Sequence, residues 1–258
     1  MKSLLSTLKN RNAVLSGFGL ICLISGAVCI GLTLTTTGQV LGINAFIKPA
    51  KFFLSVWIFC WTMAWILPLL DRSRVATVYA WMVVAVMTFE LGIIVVQAYR
   101  GKLSHFNISS VLDAVLFSSM GIAITLLTAW TAYIGVFFFR LKTSMVSPAY
   151  LWGIRLGILL FVLFAFEGFL MAGRLSHTVG AADGGAGLPI INWSTRYGDL
   201  RIAHFFGMHA LQLLPLFGYY LARRPRQVIL LATVYLLFVT FLLVQALSGR
   251  ALLAGLVN

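Results

Sequence analysis

Long runs of apolar residues, separated by short polar segments, repeat along the whole chain. A helix of about 20 apolar residues crosses the hydrocarbon core of a bilayer, which is roughly 30 Å thick. Seven runs reach this length: residues 13–34, 52–70, 75–98, 111–139, 150–172, 202–222 and 227–248. Strands are not expected, because the runs are continuous rather than alternating and open sheet edges are not tolerated in lipid. The pattern predicts an all-α integral membrane protein, a bundle of seven transmembrane helices in one polytopic domain over residues 1–258.

Composition and charge agree with this pattern and restrict the classes of molecule that the protein is expected to contact. Hydrophobic residues make up 61% of the chain and charged residues only 10%, which excludes a water-soluble fold. The 19 Lys and Arg against 6 Asp and Glu give a net charge of +13. In so apolar a chain, basic loops are expected to face lipid headgroups rather than nucleic acid. Membrane lipids are therefore predicted partners, and nucleic acid is not.

The distribution of basic residues predicts how the bundle is oriented. The N-terminal segment is basic, and Arg223-Arg224-Pro225-Arg226 forms a compact basic turn. Because cytoplasmic loops carry the excess of Lys and Arg, we expect an N-in, C-out protein of a bacterial inner or plasma membrane. The longest extracytoplasmic connection is then a cap loop over residues 173–201. Its length, with its tryptophan and paired charges, predicts an ordered structure.

Two of the six carboxylates lie deep within predicted spans, whereas Asp113 lies at the outer start of the fourth run. Glu90 and Glu167 would each be costly in lipid unless paired or hydrated, which makes them candidates for catalysis or proton transfer. Helical phase places Gln97 on the face of Glu90 and Arg174 on the face of Glu167. The alternative is that Glu167 with Arg174, or Glu90 with Arg100, simply neutralise one another.

The four histidines provide the second candidate feature. His204 and His209 lie in the sixth run with Gln212, but five residues turn a helix by about 140°, so one ion is not expected to bind both. His105 and His177 each end a Leu-Ser-His tripeptide that follows a glutamate-bearing run. This similarity suggests an internal duplication, although so short a match also arises by chance. For each histidine, a purely packed and hydrogen-bonded role is the alternative.

Histidines and carboxylates together map to the extracytoplasmic side, and Asp71 is the one carboxylate expected on the other side. Imidazole and carboxylate ligands suit Fe, Cu or Zn, and two axial histidines suit haem b. We predict His105, His177 and His204 as ligands of a metal ion or haem. Catalytic or proton-carrying roles are predicted for Glu90, Glu167 and His209. Predicted substrate-binding residues are Arg201, Asp183, Asp199, Trp193, Gln97 and Gln212.

No zinc-helix, P-loop or dinucleotide-binding motif is present, so the sequence indicates no family. The leading hypothesis is a membrane metal- or haem-dependent enzyme, an oxidoreductase or else a hydrolase. It would act at the extracytoplasmic face on a lipid-soluble or periplasmic small molecule. Two alternatives remain: a proton-coupled transporter or channel with Glu90, Glu167 and His209 as its relay, and a non-catalytic membrane assembly subunit. The sequence leaves open whether the protein forms a homo-oligomer or belongs to a larger membrane complex.

Overall fold

The computed structural model describes residues 4–70, 72–142 and 145–252. Over these residues the chain forms eight α-helices and two short pairs of antiparallel strands. The helices are α1 (Leu4–Arg11), α2 (Ala13–Thr35), α3 (Ile47–Ile66), α4 (Ser73–Tyr99), α5 (Val111–Arg140), α6 (Pro148–Arg174), α7 (Leu200–Tyr220) and α8 (Pro225–Leu247). The strands are β1 (Gln39–Val40) paired with β2 (Ile43–Asn44), and β3 (Thr178–Val179) paired with β4 (Gly198–Asp199).

Six helices of the described residues are long and apolar enough to cross a membrane: α2, α3 with its terminal 3-10 turn, α4, α5, α6 and α8. The chain is thus an all-helical protein with the spans of an integral membrane protein. Two helices lie outside this set: the short α1, and α7, which carries Arg201, His204, His209 and Gln212. The 21 residues of α7 nevertheless extend over about 31 Å, the thickness of a hydrocarbon core.

Most helix boundaries lie within about two residues of the predicted runs. The largest difference is at α3, which begins at Ile47 rather than at residue 52. Pro49 is compatible with a helix here because it lies in the first turn, where its missing N–H has no partner to lose. Neither α1 nor the strand pairs was predicted. The strands are two residues long, too short to leave a periodic signal in the sequence.

The chain divides into two compact units, residues 1–130 and residues 131–258. Each unit contains three consecutive helices, α2–α3–α4 in unit 1 and α6–α7–α8 in unit 2, and in each the first helix packs most extensively on the second. In both units a pair of short strands lies in the connection between the first and second helices. A short connection then leads to the third helix, α4 in unit 1 and α8 in unit 2. The two units therefore share one internal layout.

This layout does not match the duplication suggested by the Leu-Ser-His tripeptides. His105 follows α4, the third helix of unit 1, whereas His177 follows α6, the first helix of unit 2. The two tripeptides are therefore at different points of the shared layout, and their similarity gives no support to a duplication.

Glycines allow α6 and α7 to pack closely along their length. We call Gly153, Gly157, Gly207 and Gly218 the glycine seam. A Cβ atom added at Gly157 would lie 3.0 Å from the backbone oxygen of Ala210, and one at Gly218 would lie 2.7 Å from that of Ala149. Successive contacts pair later residues of α6 with earlier residues of α7. The two helices are therefore antiparallel and in contact over most of their length, as small residues permit in membrane helices.

Candidate functional site

Glu167 and His204 lie within hydrogen-bond distance of each other where the end of α6 meets the start of α7. His204 Nδ1 lies 3.2 Å from Glu167 Oε2. The Glu167 side chain is 4% exposed and that of His204 is 25% exposed, so the carboxylate is enclosed while the imidazole reaches the surface. Gly168 leaves room for the ring, because a Cβ atom there would lie 3.3 Å from His204 Cε1. The Glu167 and His204 predicted from sequence are thus brought together.

The second oxygen of this carboxylate has no protein partner. Glu167 Oε1 is buried and makes no hydrogen bond within the described residues. A buried oxygen without a partner is costly, and such groups occur where a ligand, a water or a proton completes the site. Arg174, the predicted alternative partner, is exposed, and Met171 is buried one turn from Glu167. The arrangement is therefore a buried acid with one imidazole partner and one open oxygen.

The predicted cap loop corresponds in the structure to the connection between α6 and α7, residues 175–199, which we call the cap from here on. It contains a second pair of histidine and carboxylate. His177 Nδ1 lies 3.2 Å from Asp183 Oδ1, and both side chains are largely buried. Ser176 Oγ donates to Asp183 at 2.8 Å and the Thr178 backbone N–H donates at 2.9 Å. Burial raises the pKa of Asp183. The charge of His177 and the hydrogen bonds from Ser176 and Thr178 together lower it by more than burial raises it, so its pKa lies below the usual value.

This lowered pKa gives the cap a pH-dependent stability. A depressed carboxylate pKa in the folded state stabilises the fold above the unfolded value, near 4, and that contribution is lost as pH falls through the folded value. We expect Asp183→Asn to lower the melting temperature of purified protein at pH about 6, with the difference from wild type shrinking as pH falls below the ordinary carboxylate value of about 4. A difference that stays constant over this range would contradict the role of the ionised carboxylate.

Asp199 and Arg201 fix the start of α7. The Asp199 side chain is fully buried, caps the helix by accepting from the Arg201 N–H, and accepts the Ser194 N–H at 2.8 Å. The Arg201 guanidinium binds both carboxylate oxygens, at 2.9 and 2.6 Å, and also donates to the Asn192 carbonyl. Within the described residues these two predicted substrate-binding side chains therefore hold the cap to α7.

Other predicted residues of unit 2 also lie on or against α7. Trp193 packs on Phe205 and Phe206, with ring centroids 5.5 and 6.1 Å apart. His209 Nδ1 lies 2.7 Å from the Phe205 carbonyl oxygen of its own helix, and the His209 ring lies tilted against that of Phe205, with centroids 4.1 Å apart. Gln212 is partly buried on α7. His209 is thus held by its own helix, whereas His204 is held by the neighbouring one.

In unit 1, His105 lies beside a lysine. Its Nδ1 is 3.0 Å from Ser104 Oγ and 3.3 Å from Lys48 Nζ, and its ring is near that of Phe52. Glu90 is 6% exposed, and its Oε1 atom has no hydrogen-bond partner among the described residues.

The most extensive polar cluster of unit 1 centres on Asp113, which we did not predict as a site residue. Its carboxylate accepts from Gln97 Nε2 at 2.9 Å, Arg100 Nη1 at 3.2 Å and Lys102 Nζ at 2.8 Å, and its side chain is fully buried. Arg100 therefore pairs with Asp113 here. The sequence held a signal for this residue in Ser110-x-x-Asp113, the spacing of a capping box. Ser110 Oγ indeed donates to the carboxylate and accepts the Asp113 N–H.

The predicted ligand set does not form one group in the described residues. His105 belongs to unit 1, while His177 and His204 each have their own carboxylate partner in unit 2. Within the described part of the chain, no three side chains of His, Cys, Asp or Glu come close enough to hold a metal ion together. Two donors are fewer than the three or four protein ligands usual at a zinc site. The metal or haem centre stays a prediction. Asp71 lies outside the described residues.

Comparisons of the chain with protein-family models, with curated proteins and with solved structures find no match.

Proposed function

We propose that this chain is an integral membrane protein that exchanges a proton with a small molecule through Glu167 and His204. The observation that carries the proposal is the buried carboxylate with one oxygen 3.2 Å from His204 and the other unpartnered. Histidine ordinarily changes charge between about pH 5 and 8, and a buried acid beside it can serve as proton donor or acceptor. We propose acid–base catalysis on a lipid-soluble or periplasmic molecule.

The proposed topology has seven spans, with α7 as the sixth to cross. The support is its antiparallel contact with α6 along the glycine seam, because a helix that follows a spanning helix over most of its length crosses the same layer. The basic turn at Arg223, Arg224 and Arg226 favours a cytoplasmic location for the end of α7. The cap and the Glu167–His204 pair are then extracytoplasmic.

Infrared difference spectroscopy tests the proton exchange without a known substrate. Stepping purified wild-type protein from about pH 9 to about pH 4 is expected to produce the carbonyl band of a protonated carboxyl group, with accompanying imidazole bands. Glu167→Gln should remove one such band. His204→Ala should shift the frequency of this band, because it removes the imidazole that lies 3.2 Å from Glu167 Oε2. In heavy water the band should shift promptly, since the proton is exchangeable.

Glu90→Gln is the matched control, because it removes another buried acid from a different unit. It should leave the band lost in Glu167→Gln in place. A carboxyl band unchanged in Glu167→Gln, or one that resists exchange, would refute the proposal. Metal analysis of the same samples addresses the alternative chemistry. Near-stoichiometric iron, copper or zinc in wild type that is lost in His204→Ala would contradict proton exchange and support a metal centre at this site instead.

Transport is the second candidate, and the repeated three-helix layout favours it. Transporters are frequently built from internal structural repeats, some of them in parallel orientation. In this reading Glu167 and His204 would carry the coupling proton instead of serving a reaction. Sealed vesicles distinguish the two, because only a transporter would show proton movement across the membrane that Glu167→Gln abolishes.

A further inference from the structure

A short hairpin over residues 187–194 lies within the cap, and its tip is apolar. The two ends of the hairpin pair through an antiparallel bridge, and the Leu188 N–H donates to the Trp193 carbonyl at 2.9 Å. At the tip, the Ile190 side chain is 75% exposed, and that of Ile191 is also exposed. Gly, Asn and Asp are the usual residues where a hairpin turns in water. Two adjacent exposed isoleucines therefore call for a partner other than water.

The backbone of the tip is strained at one of these isoleucines. Ile190 has φ +66°, in the left-handed region that a β-branched residue rarely adopts. The Ile191 N–H closes the turn by donating to the Pro189 carbonyl at 2.7 Å. Strained residues of this kind cluster at functional sites. Because the Ile190 side chain is mostly exposed, packing against the described residues does not account for an isoleucine at this position.

The hairpin lies against the side of α7 rather than beyond its end. Trp193 packs on Phe205 and Phe206, which lie about 8 Å along the helix axis from Leu200, the first residue of α7. Phe206 packs in turn on Phe238 of α8, with ring centroids 5.7 Å apart. Phe205 and Phe238 are both exposed on the outside of unit 2, as side chains that contact lipid are. Trp193 therefore lies at a level where the helices present apolar side chains outward.

The polar groups next to the tip are bonded within the protein. The Arg201 guanidinium donates to the Asn192 carbonyl, which ties the hairpin to the first turn of α7. Pro189 has no N–H to satisfy, and the N–H groups of Ile191 and Asn192 bond within the tip. A segment that contacts lipid has to satisfy its backbone in this way, because lipid offers few hydrogen-bond partners.

We propose that the tip of this hairpin, residues 189–191, inserts into the adjacent leaflet of the membrane, among the glycerol groups and upper acyl chains of the lipids. Removing two isoleucine side chains from water is favourable and offsets the strain of the turn. Trp193 supports this depth, because tryptophan is enriched at the interface between membrane and water. The inference rests on the proposed crossing of the membrane by α7, and it does not depend on proton exchange by Glu167 and His204.

Spin-label accessibility in phosphatidylcholine nanodiscs tests the position of the tip. A nitroxide is attached to Ile190→Cys, and its collisions with oxygen, which concentrates in lipid, are compared with its collisions with a water-soluble nickel complex. We expect the ratio of oxygen to nickel collisions to be several-fold higher than for a label in water. The native cysteines are buried, so wild-type protein treated in the same way supplies the background.

Two further labelled variants complete the experiment. Ala182→Cys is the matched control, since Ala182 is an exposed residue of the same cap outside the hairpin. Its label should collide mainly with the nickel complex. Leu213→Cys reports on α7 itself, because Leu213 is exposed within that helix. Its label should collide mainly with oxygen.

The combined results separate the insertion of the tip from the crossing of α7. If the Leu213→Cys label lies in lipid and the Ile190→Cys label lies in water, the insertion is overturned while the crossing stands. If both labels lie in water, the crossing fails and the insertion fails with it. An Ile190→Cys label that is shielded from both reagents would indicate a protein contact instead of lipid. That result, or equal ratios for Ile190→Cys and Ala182→Cys, would also overturn the proposal.

Discussion

Gly153→Leu is expected to separate α6 from α7 and to destabilise the protein by about 3 kcal/mol or more, at the upper end of overpacking effects. A Cβ atom at Gly153 would contact the Leu214 backbone oxygen and lie 2.9 Å from Pro215 Cα. These atoms are backbone, which cannot rotate away as a side chain can. We expect a lower melting temperature and a smaller yield of monodisperse protein in detergent, measured by thermal unfolding and size-exclusion chromatography.

Gly173→Leu provides the control for this variant. It makes the same substitution in the same helix, but a Cβ atom at Gly173 would meet no other atom within 4 Å. Its melting temperature should remain near that of wild type. Equal stability of Gly153→Leu and Gly173→Leu would show that the glycine seam does not hold the two helices together.

Arg201→Ala is expected to lower the free energy of unfolding by about 3 kcal/mol, because it leaves the buried Asp199 carboxylate without its counter-charge. Asp199 is 1% exposed and joins the cap to the start of α7. Arg201→Lys should recover only part of this loss, since an ammonium group cannot donate to both carboxylate oxygens in the same planar geometry. Thermal unfolding measures both effects. We also expect limited proteolysis to cut the cap first in Arg201→Ala, since the cap loses its link to α7.

Arg174→Ala removes an equal charge from the neighbouring helix end, where the side chain is exposed. Surface charges of this kind contribute about 0–1 kcal/mol. The comparison therefore separates loss of a specific pair from loss of charge. If both alanine variants unfold at the same temperature, the Asp199–Arg201 pair does not stabilise the cap.

The apolar runs predicted the helices well because a membrane span has to be long and almost entirely apolar. The same reasoning missed α1 and the strand pairs, which are too short to produce periodicity. It placed the start of α3 too late because Lys48 and Lys51 interrupt the apolar pattern, although a helix end can hold such side chains at a membrane surface.

Sequence reasoning identified Glu167 and His204 but not their pairing. Helical phase predicted Arg174, on the same helix, as a partner of Glu167, whereas the partner in the structure is His204 on α7. Which residues meet across two helices depends on their rotation and register, and here these follow from contacts such as Gly207 against Phe164. Asp113 was missed for a different reason. Its position at the start of α5 resembled an ordinary helix end, and its partners come from the end of the preceding helix.

The close approach of α6 and α7 bears on how the chain enters a membrane. On the proposed topology α7 crosses the bilayer although it carries Arg201, His204, His209 and Gln212, and such residues make insertion of a lone helix unfavourable. Its neighbour α6 is strongly apolar and supplies the acid that pairs with His204. Insertion of the two helices as one hairpin would shield these polar groups before α7 met lipid alone. The glycine seam would therefore serve biosynthesis as well as packing, by letting the hairpin close while the chain is still being inserted.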